Sequence, residues 1–125
     1  KTPRGWHQVA QKIGADLKQN TVFIARQPTG ELYNQQLAQQ FPQRDWILSR
    51  ILWLDGLEDG FNHGNGCDTF KRYIYIHGTP DTEPMGIPMS HGCIRMKNDE
   101  IIELFDLISE QALVYISEHT LENEG

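Results

Sequence analysis

The run Trp46-Ile47-Leu48-Ser49-Arg50-Ile51-Leu52-Trp53-Leu54 is the longest apolar stretch in the chain, and its conformation constrains everything around it. Its length suits a helix segment or a strand. The β-branched and aromatic content, and the Asp55-Gly56 that ends it, favour a strand. Shorter runs repeat the pattern. Val22, Phe23, Ile24 and Ala25 precede a turn at Pro28-Thr29-Gly30, residues 73–77 lead up to His77, and residues 113–116 close the chain's ordered part. Each reads as a strand. The Gln-rich residues 37–41, ending at Pro42, read as a single helical turn. Residues 58–65 are a polar loop, and residues 79–89, with three prolines and a glycine, are an ordered loop. One clear helix comes late. Asn98-Asp99 offers an N-cap, and Ile101, Ile102, Leu104, Phe105 and Ile108 recur at spacings of three and four. The expected fold is therefore mainly β, a mixed β-sandwich or barrel with one late amphipathic helix and its site carried on loops.

A length of 125 residues allows one domain and one core. We assign residues 1–117 to that domain and residues 118–125 to a polar tail. Eleven Lys plus Arg against 17 Asp plus Glu give a formal charge of −6. That balance argues against nucleic acid or an anionic membrane surface as the main partner. No apolar run approaches the ~18 residues of a membrane span, and no basic-then-apolar signal opens the sequence. The two cysteines, Cys67 and Cys93, permit one disulfide, but pairing would silence a nucleophilic Cys93, so a reducing compartment fits better.

The chemistry concentrates in Ser90-His91-Gly92-Cys93-Ile94-Arg95 and, upstream, in Tyr73-Ile74-Tyr75-Ile76-His77-Gly78-Thr79. A cysteine attacks as thiolate, and a neighbouring base or aligned backbone amides generate that species. A lone cysteine is more often a small buried hydrophobe, but that reading leaves the polar surroundings of Cys93 unexplained. Cys93 is therefore the candidate nucleophile. His77, delivered at the end of a strand, is the candidate base. His91, two residues before Cys93, points the same way on an extended segment and ranks second as base. Gly92 lets the backbone approach a substrate closely. Arg95 could bind a substrate carboxylate bidentately. Asp68 and Arg72 could pair with each other or line the cleft.

Taken together, His77-Gly78-Thr79 and Ser90-His91-Gly92-Cys93-Ile94-Arg95 resemble the signature of the YkuD-type L,D-transpeptidase catalytic domain. The likeness is strongest from Arg72 to Met96 and extends weakly over most of the chain. It implies that the Gly78 carbonyl orients His77, that backbone amides of His91, Gly92 and Cys93 form an oxyanion hole, and that Ser90 and Thr79 join Arg95 at the substrate. No cofactor and no metal are expected. In the family a Thr-Pro-x-Gly element follows two earlier strands, so Lys1-Thr2-Pro3-Arg4-Gly5 reads like the middle of a domain, with an export signal conceivable upstream. Cys67 is outside the motif and is expected to be incidental. Met85 and Met89 are expected to pack the loop.

Residues 72–80 together with Met85-Gly86-Ile87-Pro88 resemble the cytoplasmic branch of the family. Those proteins act as L,D-carboxypeptidases on recycled murein peptides. The expected reaction is removal of the terminal D-alanine from a murein tetrapeptide in the cytoplasm, through a thioester on Cys93. Loop 80–88 would wall a cleft too small for a second stem peptide. Carbapenem-type lactams are expected to acylate the same thiol. The alternatives are a periplasmic L,D-transpeptidase that cross-links peptidoglycan, a metal site drawn from His63, Cys67, His77, His91 and Cys93, and a wall-binding module without catalysis. Zinc sites usually show paired ligands at regular spacing, which His63-x3-Cys67 only approaches. A depressed thiol pKa would argue for catalysis over the non-catalytic module.

Overall fold

The computed structural model describes residues 2–64, 66–80 and 92–117. In chain order these form β1 (Gly5–Ile13), β2 (Thr21–Ile24), β3 (Gln27–Leu32), α1 (Gln35–Gln40), β4 (Ile47–Gly56), β5 (Tyr75–Thr79), β6 (Ile94–Lys97), α2 (Asn98–Leu107) and β7 (Leu113–Ile116). The fold is mainly β: one seven-stranded sheet among the described residues, with two helices against or beside it.

Strand β4 is the hub, as its apolar length demands. Leu48 pairs with both Val22 and Gly78, and Trp53 with both Gln11 and Tyr75. One edge of β4 thus carries β2 and then β1, and the other carries β5. Every residue from Leu48 to Leu54 is buried, which only a strand covered on both faces requires. Strands β3 and β7 lie at the ends of the order β3-β2-β4-β1-β7. Among the described strands the pairings are antiparallel except β5 with β6, which run parallel.

The main core joins Val9, Leu52, Leu54, Ile74 and Ile76 to Ile101 and Phe105 of α2. Those two positions, four apart, form the helix's buried stripe. Fully burying side chains of this size contributes about 1.5–3 kcal/mol each. A second cluster of Phe23, Ile51, Trp53 and Tyr75 packs against Phe70 and Cys93. The candidate nucleophile therefore rests on an apolar wall.

The structure corrects several expectations. The β2–β3 turn falls at Ala25-Arg26, with Ala25 in the left-handed region (φ 53°), so Pro28-Thr29-Gly30 lies inside β3. Proline is tolerated there because β3 is an edge strand with free N–H positions. Tyr73 also has positive φ (57°), so β5 begins two residues later than the apolar run suggests, and His77 lies mid-strand. Asn98 does not cap α2. Lys97 occupies that position without a side-chain bond, and Asn98 turns inward instead. Strand β1, the β3 edge and β6 were not expected. The tail at 118–125, Ser90, His91, Met85, Met89 and the loop from residue 81 lie outside the described residues, so the expectations placed on them stand apart from this geometry.

Candidate active site

Strand β5 carries the imidazole. His77 is fully buried, and its Nδ1 lies 2.7 Å from the carbonyl oxygen of Gly78. A carbonyl only accepts, so Nδ1 carries the proton and Nε2 presents its lone pair. Among the described residues Nε2 has no hydrogen-bond partner, although it is buried. Burial pushes the imidazole pKa below its ordinary value. The Gly78 carbonyl and Asp45 oppose that shift, and Arg95 adds to it. The ring is thus held neutral and basic on one nitrogen.

Gly78 is required at its position by close packing. A Cβ there would sit 2.5 Å from the Leu48 carbonyl oxygen, 2.6 Å from Asn98 Oδ1 and 3.1 Å from Ile101 Cγ2. The polar neighbour belongs to a buried network. Ser49 Oγ donates to Asn98 Oδ1 at 2.7 Å and accepts from the Asn20 amide at 2.9 Å, while Asn98 Nδ2 donates to Asn20 Oδ1 at 2.9 Å. Ser49 lies in a bulge of β4, with φ of 73°, where the register slips between Leu48 and Ile51 opposite Gly78 and His77. Bulges that re-aim side chains commonly border active sites.

Cys93 stands one residue before β6. The parallel register pairs Ile76 with Ile94 and His77 with Arg95, so continuing it places Cys93 beside Tyr75. Residues two apart on a strand share a face, so Tyr75, His77, Cys93 and Arg95 turn to the same side. Diagonal neighbours on paired strands lie roughly 7–8 Å apart, within reach of an imidazole and a thiol. Here the thiol rests against β5. Sγ accepts from the Tyr75 amide at 3.4 Å and donates to the Tyr73 carbonyl at 3.5 Å. The residue before it, Gly92, has φ of 90°, a conformation that glycine adopts without strain.

The thiol pKa is raised rather than depressed. Burial is the main cause; the Tyr75 amide and Arg72 oppose it, and Asp45 adds to it. The test by which a depressed thiol would have marked catalysis therefore does not speak for it. Thiol and imidazole are instead both neutral at pH 7, as in a base-assisted attack where the proton moves only when substrate arrives.

Other candidates fall as follows. Thr79 is buried at the end of β5, and Arg95 is half-buried beside His77. The Asp68 carboxylate accepts from the amides of Gly64 and Lys71, which lower its pKa, and the Arg72 amide donates to its backbone carbonyl. Both cysteines are free, and the Cys67 thiol donates to the Gly64 carbonyl at 2.8 Å. His63 faces Asp55, Asp59 and Asp68 at 3.7–3.9 Å, away from His77 and Cys93 in the sheet. Among the described residues no group of three or more His, Cys, Asp or Glu side chains is disposed to hold a metal ion. Sequence reading missed Tyr75, whose amide touches the thiol, and the Asn20–Ser49–Asn98 network. Tyr75 was detectable in principle, because it is two residues from His77 on one strand.

A mainly β sheet that sets a half-buried thiol diagonally across from a carbonyl-locked imidazole has the layout of a cysteine acyl-transfer protein. The chain belongs to the YkuD family, the L,D-transpeptidase catalytic domain, whose family model matches residues 1–116. It is also similar to a Bacillus subtilis strain 168 protein named "Putative L,D-transpeptidase YqjB", 46% identical over 50 residues. That match covers 40% of this chain and 28% of the relative, so the chain spans well under a third of the relative's length. No solved structure matches.

Proposed function

We propose that the protein is a cysteine acyl-transfer enzyme of L,D-transpeptidase type acting on murein stem peptides. The observation that carries the reading is the His77 lock: Nδ1 is committed to Gly78 O at 2.7 Å, and Nε2 is buried and, among the described residues, unpartnered on the face that Cys93 shares. In the proposed reaction Cys93 Sγ attacks the carbonyl of the third-residue diamino acid and His77 Nε2 takes the thiol proton. The oxyanion is held by backbone amides at residues 91–93. Collapse breaks the C–N bond, His77 protonates the departing D-alanine amine, and a thioester remains. Water then attacks with His77 as base, releasing the tripeptide and the free thiol.

The finer reading is an L,D-carboxypeptidase acting in the cytoplasm. Its support is the likeness of residues 72–80 and 85–88 to that branch of the family. Transpeptidation replaces the water with an amine and shares the first half-reaction. Incubation with a soluble murein tetrapeptide, with and without an amine acceptor, separates the two. Tripeptide in both arms supports the carboxypeptidase; a cross-linked product that grows with acceptor, and no tripeptide without it, overturns it.

A further inference from the structure

A cation sits on the far side of the nucleophile's tyrosine, and nothing in the reaction above uses it. Arg26, on the β2–β3 turn, donates from Nη1 to the Tyr75 hydroxyl at 3.0 Å. Its guanidinium lies over the Trp53 ring at 4.8 Å and the Tyr73 ring at 4.7 Å. Trp53 is itself fixed, stacked on Phe70 at 4.0 Å and donating from Nε1 to the Phe70 carbonyl at 3.1 Å. The two residues that touch the Cys93 thiol through their backbones, Tyr73 and Tyr75, thus hold Arg26 through their side chains. One tyrosine side chain separates cation from sulfur.

Among the described residues the partners of this guanidinium are aromatic rings and a phenol, not a carboxylate. Aromatic faces fix the plane of a guanidinium but leave its in-plane N–H donors unspent. Five donors in a rigid fork, one of them used, match a carboxylate arriving edge-on.

We propose that Arg26 is a substrate-binding residue that docks a carboxylate of the stem peptide beside Cys93. The inference rests on the murein-peptide reading of the site. Two carboxylates of one peptide share this chemistry, the α-carboxylate of the terminal D-alanine and a carboxylate borne by the acyl-donor half. Arg26 selects peptides by that charge, and the rings of Trp53 and Tyr73 hold it ready.

The test compares kcat and KM for three tetrapeptides: the free acid, its C-terminal carboxamide, and a form amidated only within the acyl-donor half. Wild-type enzyme is expected to lose about 10–100-fold in kcat/KM on one amidated form, the worth of a charge-assisted bidentate pair. Arg26→Met should lose the same factor on the free acid, mainly in KM, and show no further loss on that amidated form. Arg26→Lys should recover only part, because an ammonium neither stacks nor forks. The amidated form that wild type discriminates against identifies the carboxylate. Equal turnover of all three peptides by wild type overturns the inference even if the variants misfold, as does a uniform loss in Arg26→Met across all three. No turnover of any peptide by wild type would instead count against the murein-peptide reading itself.

Discussion

Gly78→Ala is the substitution whose consequence the structure fixes most tightly. The added Cβ would approach the Leu48 carbonyl to 2.5 Å and Asn98 Oδ1 to 2.6 Å, against 3.4 Å where ordinary contact begins. The shortfall is about 0.9 Å at a backbone atom. Leu48 O belongs to the β4–β5 ladder, so it can retreat only by loosening the pairing that carries His77. Asn98 can retreat only by giving up its bonds to Ser49 and Asn20. Overpacking in well-filled sites costs about 1–3 kcal/mol, and a rigid backbone obstacle points to the upper half. For a domain of this size about 2–3 kcal/mol corresponds to a fall in Tm of roughly 6–12 °C. Activity should fall further than stability explains, because the Gly78 carbonyl orients the imidazole. Thermal unfolding gives the first number, and kcat measured well below Tm gives the second. Asn98→Ala removes one obstacle, so Gly78→Ala should cost less in that background than alone. A Gly78→Ala variant within about 0.5 kcal/mol of wild type, with full kcat, would refute the packing argument.

Further outcomes follow from the same geometry. Cys67→Ala should leave most turnover intact, because among the described residues its thiol bonds to loop carbonyls at His63 and Gly64; a loss as deep as that from replacing Cys93 would undo the assignment. Stability should decline at both ends of the pH range. His77 and His7 have depressed pKa values, so the unfolded chain binds more protons and stability falls as pH drops below about 6.5. Cys93 has a raised one, so the folded chain holds its proton longer and stability falls as pH rises past about 8.5–9. Unfolding midpoints across pH should show a shallower acid limb in His77→Gln and a shallower alkaline limb in Cys93→Ala; unchanged limbs would contradict the assigned burial. A carbapenem-type lactam should add once per chain, at Cys93, by intact-mass and peptide mapping, whereas an adduct on Cys67 or none at all would count against the site.

Much of this was legible in residues whose pattern matches their burial. β4 was legible because its long apolar run is buried from Leu48 to Leu54, and α2 because Ile101 and Phe105 form its buried stripe, whereas β7 was legible from its apolar run alone, since Leu113 and Tyr115 are exposed. Strand β1 was hidden by its own chemistry. Its inward positions are Gly5, His7 and Val9, and the inward His7 is paid for by bonds to Gly5 O and Thr69 Oγ1 rather than by apolarity. A register shift between Val9 and Gln11 then breaks the period-two alternation. Pro28 and Gly30 disguised β3 as a turn, and β6 is four residues long within a motif read for its chemistry. The thiol and imidazole were legible in the Ser90–Arg95 and His77-Gly78-Thr79 motifs, and the orienting carbonyl only through the family resemblance those motifs carry. Arg26 and the Asn20–Ser49–Asn98 network were not, because each partner lies tens of residues from the next and meets it only through the sheet.

The central claim is that Cys93 forms the acyl link to a murein peptide with His77 as base. Free D-alanine released from a soluble tetrapeptide, measured in parallel for wild type, Cys93→Ala and His77→Gln at pH 7, tests it most directly. The account predicts steady release by wild type, none above background by Cys93→Ala, and a loss of at least ~10² for His77→Gln. Release by Cys93→Ala at the wild-type rate would contradict it.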